Sequence, residues 1–144
     1  MAHRTSVPRT IGRLAFGAAL LFAGATHLTV ARKEFQAQVP EWLPIDDDIV
    51  VLGSGVAEIT LGAALVALPK HRVPVGLAVA AFFIAIFPGN ISQLVTHTDA
   101  FGLNDDRSRA IRLLFQPVLV LWALWGTAAW RDRRELKRYV PKQR

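Results

Sequence analysis

The sequence predicts an all-α integral membrane four-helix bundle with both termini cytoplasmic. Three observations predict it. The 144 residues are 52% hydrophobic and only 19% charged, too apolar for an ordinary small soluble domain. The charges cluster in short blocks, separated by four apolar runs at about 11–31, 49–68, 73–95 and 110–130. Each run approaches or exceeds the ~20 residues that cross roughly 30 Å of hydrocarbon. Finally, the runs lack the continuous polar face that a helix of a soluble bundle turns to water.

Charge sets the expected orientation. Twelve of the seventeen Lys and Arg residues fall in the N-terminal arm, in the turn between the second and third runs, and after the fourth. With four crossings these regions share one side. The other side has five bases and eight of the eleven acids, including Asp46, Asp47 and Asp48. Basic residues mark the cytoplasmic side, so the expectation is N-in and C-in, in the plasma (inner) membrane of a bacterium. Residues 1–144 form one domain, with 131–144 a basic cytoplasmic tail suited to anionic lipid. The net charge of +6 brings no nucleic-acid-binding signal with it. Cysteine is absent, which excludes thiolate nucleophiles and sulfur-ligated metals in this chain.

The arm before the first run contains Pro8, expected to keep it from continuing as helix. The first run, "IGRLAFGAALLFAGATHLTVA", carries Gly12, Gly17 and Gly24 among alanines, a composition that lets helices approach closely. It is long for a leader's apolar segment and is read as a retained helix. The segment "RKEFQAQVPEWLPIDDD" follows on the outer side. It is expected to lie at the interface with Trp42 as an anchor, or else to cap a cavity. "LPKHR" is a tight cytoplasmic turn that makes runs two and three antiparallel neighbours. Pro88 and Gly89 interrupt the third run, and Pro117 follows Gln116 in the fourth. Asp105 or Asp106 caps the fourth helix, Trp122 and Trp125 read as packing residues, and Trp130 marks the inner interface.

Within this apolar frame a few polar residues converge. Glu58 lies about ten residues into the second run, and a carboxylate in hydrocarbon faces a bundle interior, a partner or a cavity. Ser54, Gly55 and Gly62 flank it at helical spacing. His27 is near the outer end of the first helix. Asn90, Gln93 and His97 share one face of the third at i, i+3, i+7, and Arg109, Arg112 and Gln116 repeat that spacing on the fourth. All fall in the outer half or at its edge, and no comparable polar set is expected in the inner half.

Glu58 is either protonated, since desolvation raises a carboxyl pKa, or ionised against Arg112 or a protonated His27. His27 suits a proton relay or a contact with a cofactor edge. Asn90, Gln93 and Gln116 either orient a polar head or satisfy kinked backbone. The candidate binding residues are His27, Glu58, Asn90, Gln93, Arg112 and Gln116. Their expected occupant is a quinone-like or lipid head group that reaches them laterally from the bilayer. His97 and Arg109 read as ordinary interface residues. No catalytic residue is assigned, and no metal signature such as HExxH is present.

The stretches "AGATHLTVARKEFQAQVPEWLP" (23–44), "GVAEITLGAALVAL" (55–68), "FPGNISQ" (87–93) and "RLLFQPVLVLWALW" (112–125) together resemble the DoxX-like family, within the DoxX/MauE-type set of small four-helix membrane proteins. His27, Glu58, Asn90 and Gln116 match recurring polar positions of that family. Some relatives there are associated with thiosulfate:quinone oxidoreduction, others with methylamine dehydrogenase maturation or with thiol-associated complexes. The resemblance implies an accessory or subunit protein of a redox-associated complex. The absence of cysteine departs from the thiol-handling members. Two other functions stay open: an assembly protein without ligand chemistry, partnered by a membrane complex or its own copies, and a small transporter or proton pathway.

Overall fold

Ser6 is the N-cap of α1, Val7–Leu28, and Pro8 sits in its first turn. The expectation that Pro8 excludes the helix is corrected: first-turn N–H groups have no intrahelical acceptor, so proline loses nothing there. In the computed structural model, which describes residues 5–138 apart from the side chains of residues 135, 137 and 138, every regular element is helical. Arg4 of the basic arm and the tail positions Lys137 and Arg138 (side chains) and 139–144 lie outside the described set.

After α1 comes the short α2, Arg32–Gln36. Asp46 then starts α3, Asp47–Ala67, its side chain accepting from the N–H groups of Asp48 at 2.9 Å and Ile49 at 3.3 Å. A 3-10 turn at Pro69–His71 leads into α4, Arg72–Val95, which continues through Pro88. Asp105 caps α5, Asp106–Gly126, and the bond from the Ser108 N–H holds its carboxyl below the usual carboxylate range. The fourth helix stops earlier than its apolar run suggests, because Ala128 takes a left-handed φ of 55°. That turn redirects the chain into α6, Ala129–Asp132.

The four long helices, α1, α3, α4 and α5, are each long and apolar enough to cross a membrane. No more than 33% of the most apolar window in any of them is buried within the bundle, so most of their apolar surface faces outward. Phe22, Ile84, Leu114 and Leu121 all project there.

The closest pair is α1 with α3. A Cβ on Gly17 would lie 2.9 Å from the Gly62 carbonyl oxygen, and one on Gly24 would lie 2.6 Å from that of Gly55. Backbone meets backbone here, as small residues permit. The second pair is α4 with α5, and contacts between α3 and α4 are sparse by comparison. Phe16, Leu20, Leu65, Val79, Phe83 and Ala123 form the apolar centre joining the pairs. Phe16 stacks on both Phe83 and Trp122, with ring centroids 5.7 and 4.8 Å apart.

Polar side chains lie on both sides of this centre, which corrects the expectation that one half would lack them. At the end holding the α3–α4 turn, Arg13, Arg72, Thr127 and Asp132 are buried. Arg72 donates to Asp132 at 2.8 Å. The Arg13 guanidinium donates to the Leu65 carbonyl and, at 3.4 Å, to that of Val66, meeting last-turn carbonyls that have no partner within the helix. These groups escape notice in the sequence because charged residues at the ends of apolar runs are ordinary.

Candidate functional site

At the opposite end, a cavity of about 470 Å³ lies among α1, α3, α4 and α5. Cavities of roughly 300–1,000 Å³ are the usual size for small-molecule sites. Phe16, Leu20, Phe83 and Leu119 belong to its apolar lining, shared with the central core. His27, Glu58, Asn90, Arg112 and Gln116 bring polar atoms to it, one or two from each long helix.

His27 is in the last turn of α1, 7% exposed. Its Nδ1 lies 2.9 Å from the Ala23 carbonyl oxygen and 3.0 Å from Glu58 Oε2. A carbonyl only accepts, so Nδ1 carries the proton and donates it along its own helix. That single proton does not also serve Glu58. The carboxylate oxygen is in close contact with the ring, yet it has no hydrogen bond of its own. The tight Gly24–Gly55 crossing is what brings these two side chains together: a Cβ on Gly55 would lie 2.8 Å from the Cβ of His27. The expected alternative, an ion pair between Glu58 and Arg112, does not form.

Arg112 instead donates to Gln93 Oε1 at 3.2 Å and to Gln38 Oε1 at 3.0 Å. Its guanidinium also lies 4.7 Å above the Phe101 ring. Gln93, 2% exposed, accepts from Gln38 Nε2 at 3.1 Å and donates to the Thr98 carbonyl at 3.3 Å. It is absent from the cavity wall and supports Arg112 from behind.

Asn90 and Gln116 behave differently from the expectation that they satisfy backbone freed by proline. Neither makes a hydrogen bond to any described residue, and their oxygens are buried without a partner. His97 pairs with Asp106 at 2.8 Å on the exposed surface. Arg109 is buried, pairing with Asp99 and Asp106 and donating to the Thr98 carbonyl, so it clamps the α4–α5 loop.

The segment between α1 and α3 is the strap over this cavity. Phe35, Gln38, Val39, Pro40, Trp42 and Leu43 all line it. Phe35 stacks on His27 at 3.3 Å between ring centroids and meets Phe101 edge-on at 4.6 Å. Arg32 pairs with Asp48, which also accepts from Gln36 at 2.7 Å. The hydrogen bond between Arg32 and Asp48 raises the pKa of the Arg32 guanidinium above its ordinary value. Glu34 accepts the Phe101 N–H at 2.5 Å, tying the strap to the α4–α5 loop. The sequence reading missed Gln38 and Phe35 as site residues. Their one signal was the option that this segment caps a cavity.

Among the described residues no three His, Asp or Glu side chains gather as a metal site. The arrangement offers an apolar chamber, a carboxylate with unmet acceptor capacity, two unpartnered amides and a cation already engaged. No curated protein matches the chain, and no solved structure does. A family of proteins matches over residues 16–127, which takes in α1 from Phe16 onward, the strap, the other three long helices and every polar residue around the cavity; the chain belongs to that family, described as Domain of unknown function (DUF8561).

Proposed function

We propose that the chain is a small integral membrane protein whose strapped cavity holds the polar head of a quinone- or lipid-like amphiphile, and that it serves as an accessory or subunit of a redox-associated membrane complex. The observation that carries the binding reading is the cavity itself. Glu58, Asn90 and Gln116, each with a buried oxygen that has no hydrogen bond, line one apolar chamber, and buried polar groups ordinarily have partners. The sparse α3–α4 contact suits access from the hydrocarbon. The redox-associated role rests on the DoxX-like resemblance, and the N-in, C-in orientation rests on the distribution of Lys and Arg.

Binding is tested by extracting the chain from its membrane directly into polymer nanodiscs. Mass spectrometry should find one amphiphile in near-stoichiometric amount. The paired substitution Asn90→Leu and Gln116→Leu should reduce its occupancy about tenfold or more. Equal occupancy in both proteins would defeat the reading.

Orientation has a clean assay because the chain has no cysteine. A cysteine introduced at Asn104 should react with an impermeant maleimide added to intact cells, and one introduced at Ser6 only after lysis. The reverse pattern would invert the topology.

A further inference from the structure

The unmet hydrogen-bonding capacity around the cavity specifies the chemistry of its occupant. Glu58, Asn90 and Gln116 are 4%, 7% and 8% exposed, and the unpartnered atoms are all oxygens: Oε2, Oδ1 and Oε1. Ionised, Glu58 accepts and does not donate. An amide seen in either orientation keeps one accepting and one donating end, and a hydroxyl group meets both. The Glu58 side of the pocket therefore sets the requirement, a group that donates.

The pocket also discriminates by charge. Arg112 is the cation in its wall, and it gives two of its five N–H donors to Gln38 and Gln93 while Phe101 lies against its face. The imidazole of His27 is turned to Ala23 and covered by Phe35. An ionised Glu58 in the same wall repels an anion.

We propose that Glu58 is ionised and that the occupant is an uncharged amphiphile whose head donates hydrogen bonds through hydroxyl groups, one of them to the Glu58 carboxylate, with its hydrocarbon tail leaving along the apolar wall. This rests on the reading of the cavity as an amphiphile site, and it goes further by rejecting heads that only accept. A hydroquinone satisfies it, whereas the oxidised quinone, which has carbonyls alone, does not. The neutral head of a diacylglycerol carries the same donor chemistry.

The test uses the full chain in phosphatidylcholine nanodiscs, with empty nanodiscs correcting for partition. Five compounds are compared: decylhydroquinone kept reduced, decylbenzoquinone, decylhydroquinone dimethyl ether, dioleoylglycerol and dioleoyl phosphatidylglycerol. Either decylhydroquinone or dioleoylglycerol should bind about tenfold or more tightly than the quinone, the ether and the anionic lipid. Which of the two binds tighter identifies an aromatic or a glycerolipid source. Glu58→Gln should narrow the preference for hydroquinone over quinone, and the compound series on the unaltered chain stands even where that variant does not fold. Quinone or ether binding as well as the hydroquinone, or the anionic lipid binding best, would overturn the donor requirement and leave the amphiphile site intact. Saturable binding of none of the five would overturn both.

Discussion

Asp132→Ala should be clearly destabilising, costing about 1.5–3 kcal/mol of unfolding free energy, because it removes a charge-assisted hydrogen bond between buried side chains. Asp132 is 5% exposed and accepts from Arg72 at 2.8 Å across 60 residues of sequence. It also accepts from the half-exposed Arg131 at 2.6 Å, a contact of the kind that contributes little alone. The loss therefore comes mainly from the bond to Arg72, which is buried at the start of α4. Replacing both partners, Arg72→Met with Asp132→Leu, should recover much of the stability. Chemical denaturation in mild detergent measures all three.

The same carboxylate gives the pH dependence a sign. Hydrogen bonds from Arg131, and then from Arg72, hold the Asp132 pKa below the ordinary 3.8 against the opposing effect of burial. A depressed pKa means that the unfolded chain takes up the proton first. The stabilisation is thus complete above pH 3.8 and is lost as pH falls through the lower folded-state value. The stability gap between the unaltered chain and Asp132→Asn should be constant at neutral pH and close under acid. A gap that widens under acid would contradict the assignment.

The second large effect is expected at Gly24. A Cβ there would lie 2.6 Å from the Gly55 carbonyl oxygen, 2.7 Å from Ile59 Cγ1 and 3.0 Å from the Ile59 N. Two of these three atoms are backbone, so no rotamer change makes room and α1 must move off α3. Gly24→Val should cost at least about 1–3 kcal/mol, the usual penalty for overpacking. It should also pull His27 away from Glu58, which the same crossing brings to 3.0 Å. Ligand occupancy should fall along with stability. Gly53→Val is the control: it lies on the partner helix α3 with nothing within 4 Å of a new Cβ, and should leave both properties nearly unchanged. Equal behaviour of the two variants would show that close helix approach does not hold the site together.

The four long helices were legible because apolar runs of this length have few alternatives. Their ends were less so, since local caps decide them: Asp46 starts α3 ahead of its apolar run, and the left-handed Ala128 ends α5 before its run is exhausted. His27 and Glu58 stood out as lone ionisable groups in hydrophobic sequence, and the structure sets them in contact. Asn90, Gln116 and Arg112 were visible from helical spacing, but their bonding was not. Arg112 turns to Gln38, a residue with nothing to distinguish it in a polar loop. The Arg72–Asp132 pair was hidden for a related reason. Each residue looks like a routine flanking charge, and only the reversal at Ala128 brings them together.

Two polar layers separated by stacked aromatic rings have an electrical consequence. For a chain set in the bilayer as proposed, the Phe16–Phe83–Trp122 stack is an insulator between Glu58 and the Arg72–Asp132 pair. A proton given up or taken at the chamber would then exchange with the face on which the chamber lies. Chemistry there would proceed without work against the membrane potential, so the protein could hold or present its guest in an energised membrane without dissipating the gradient.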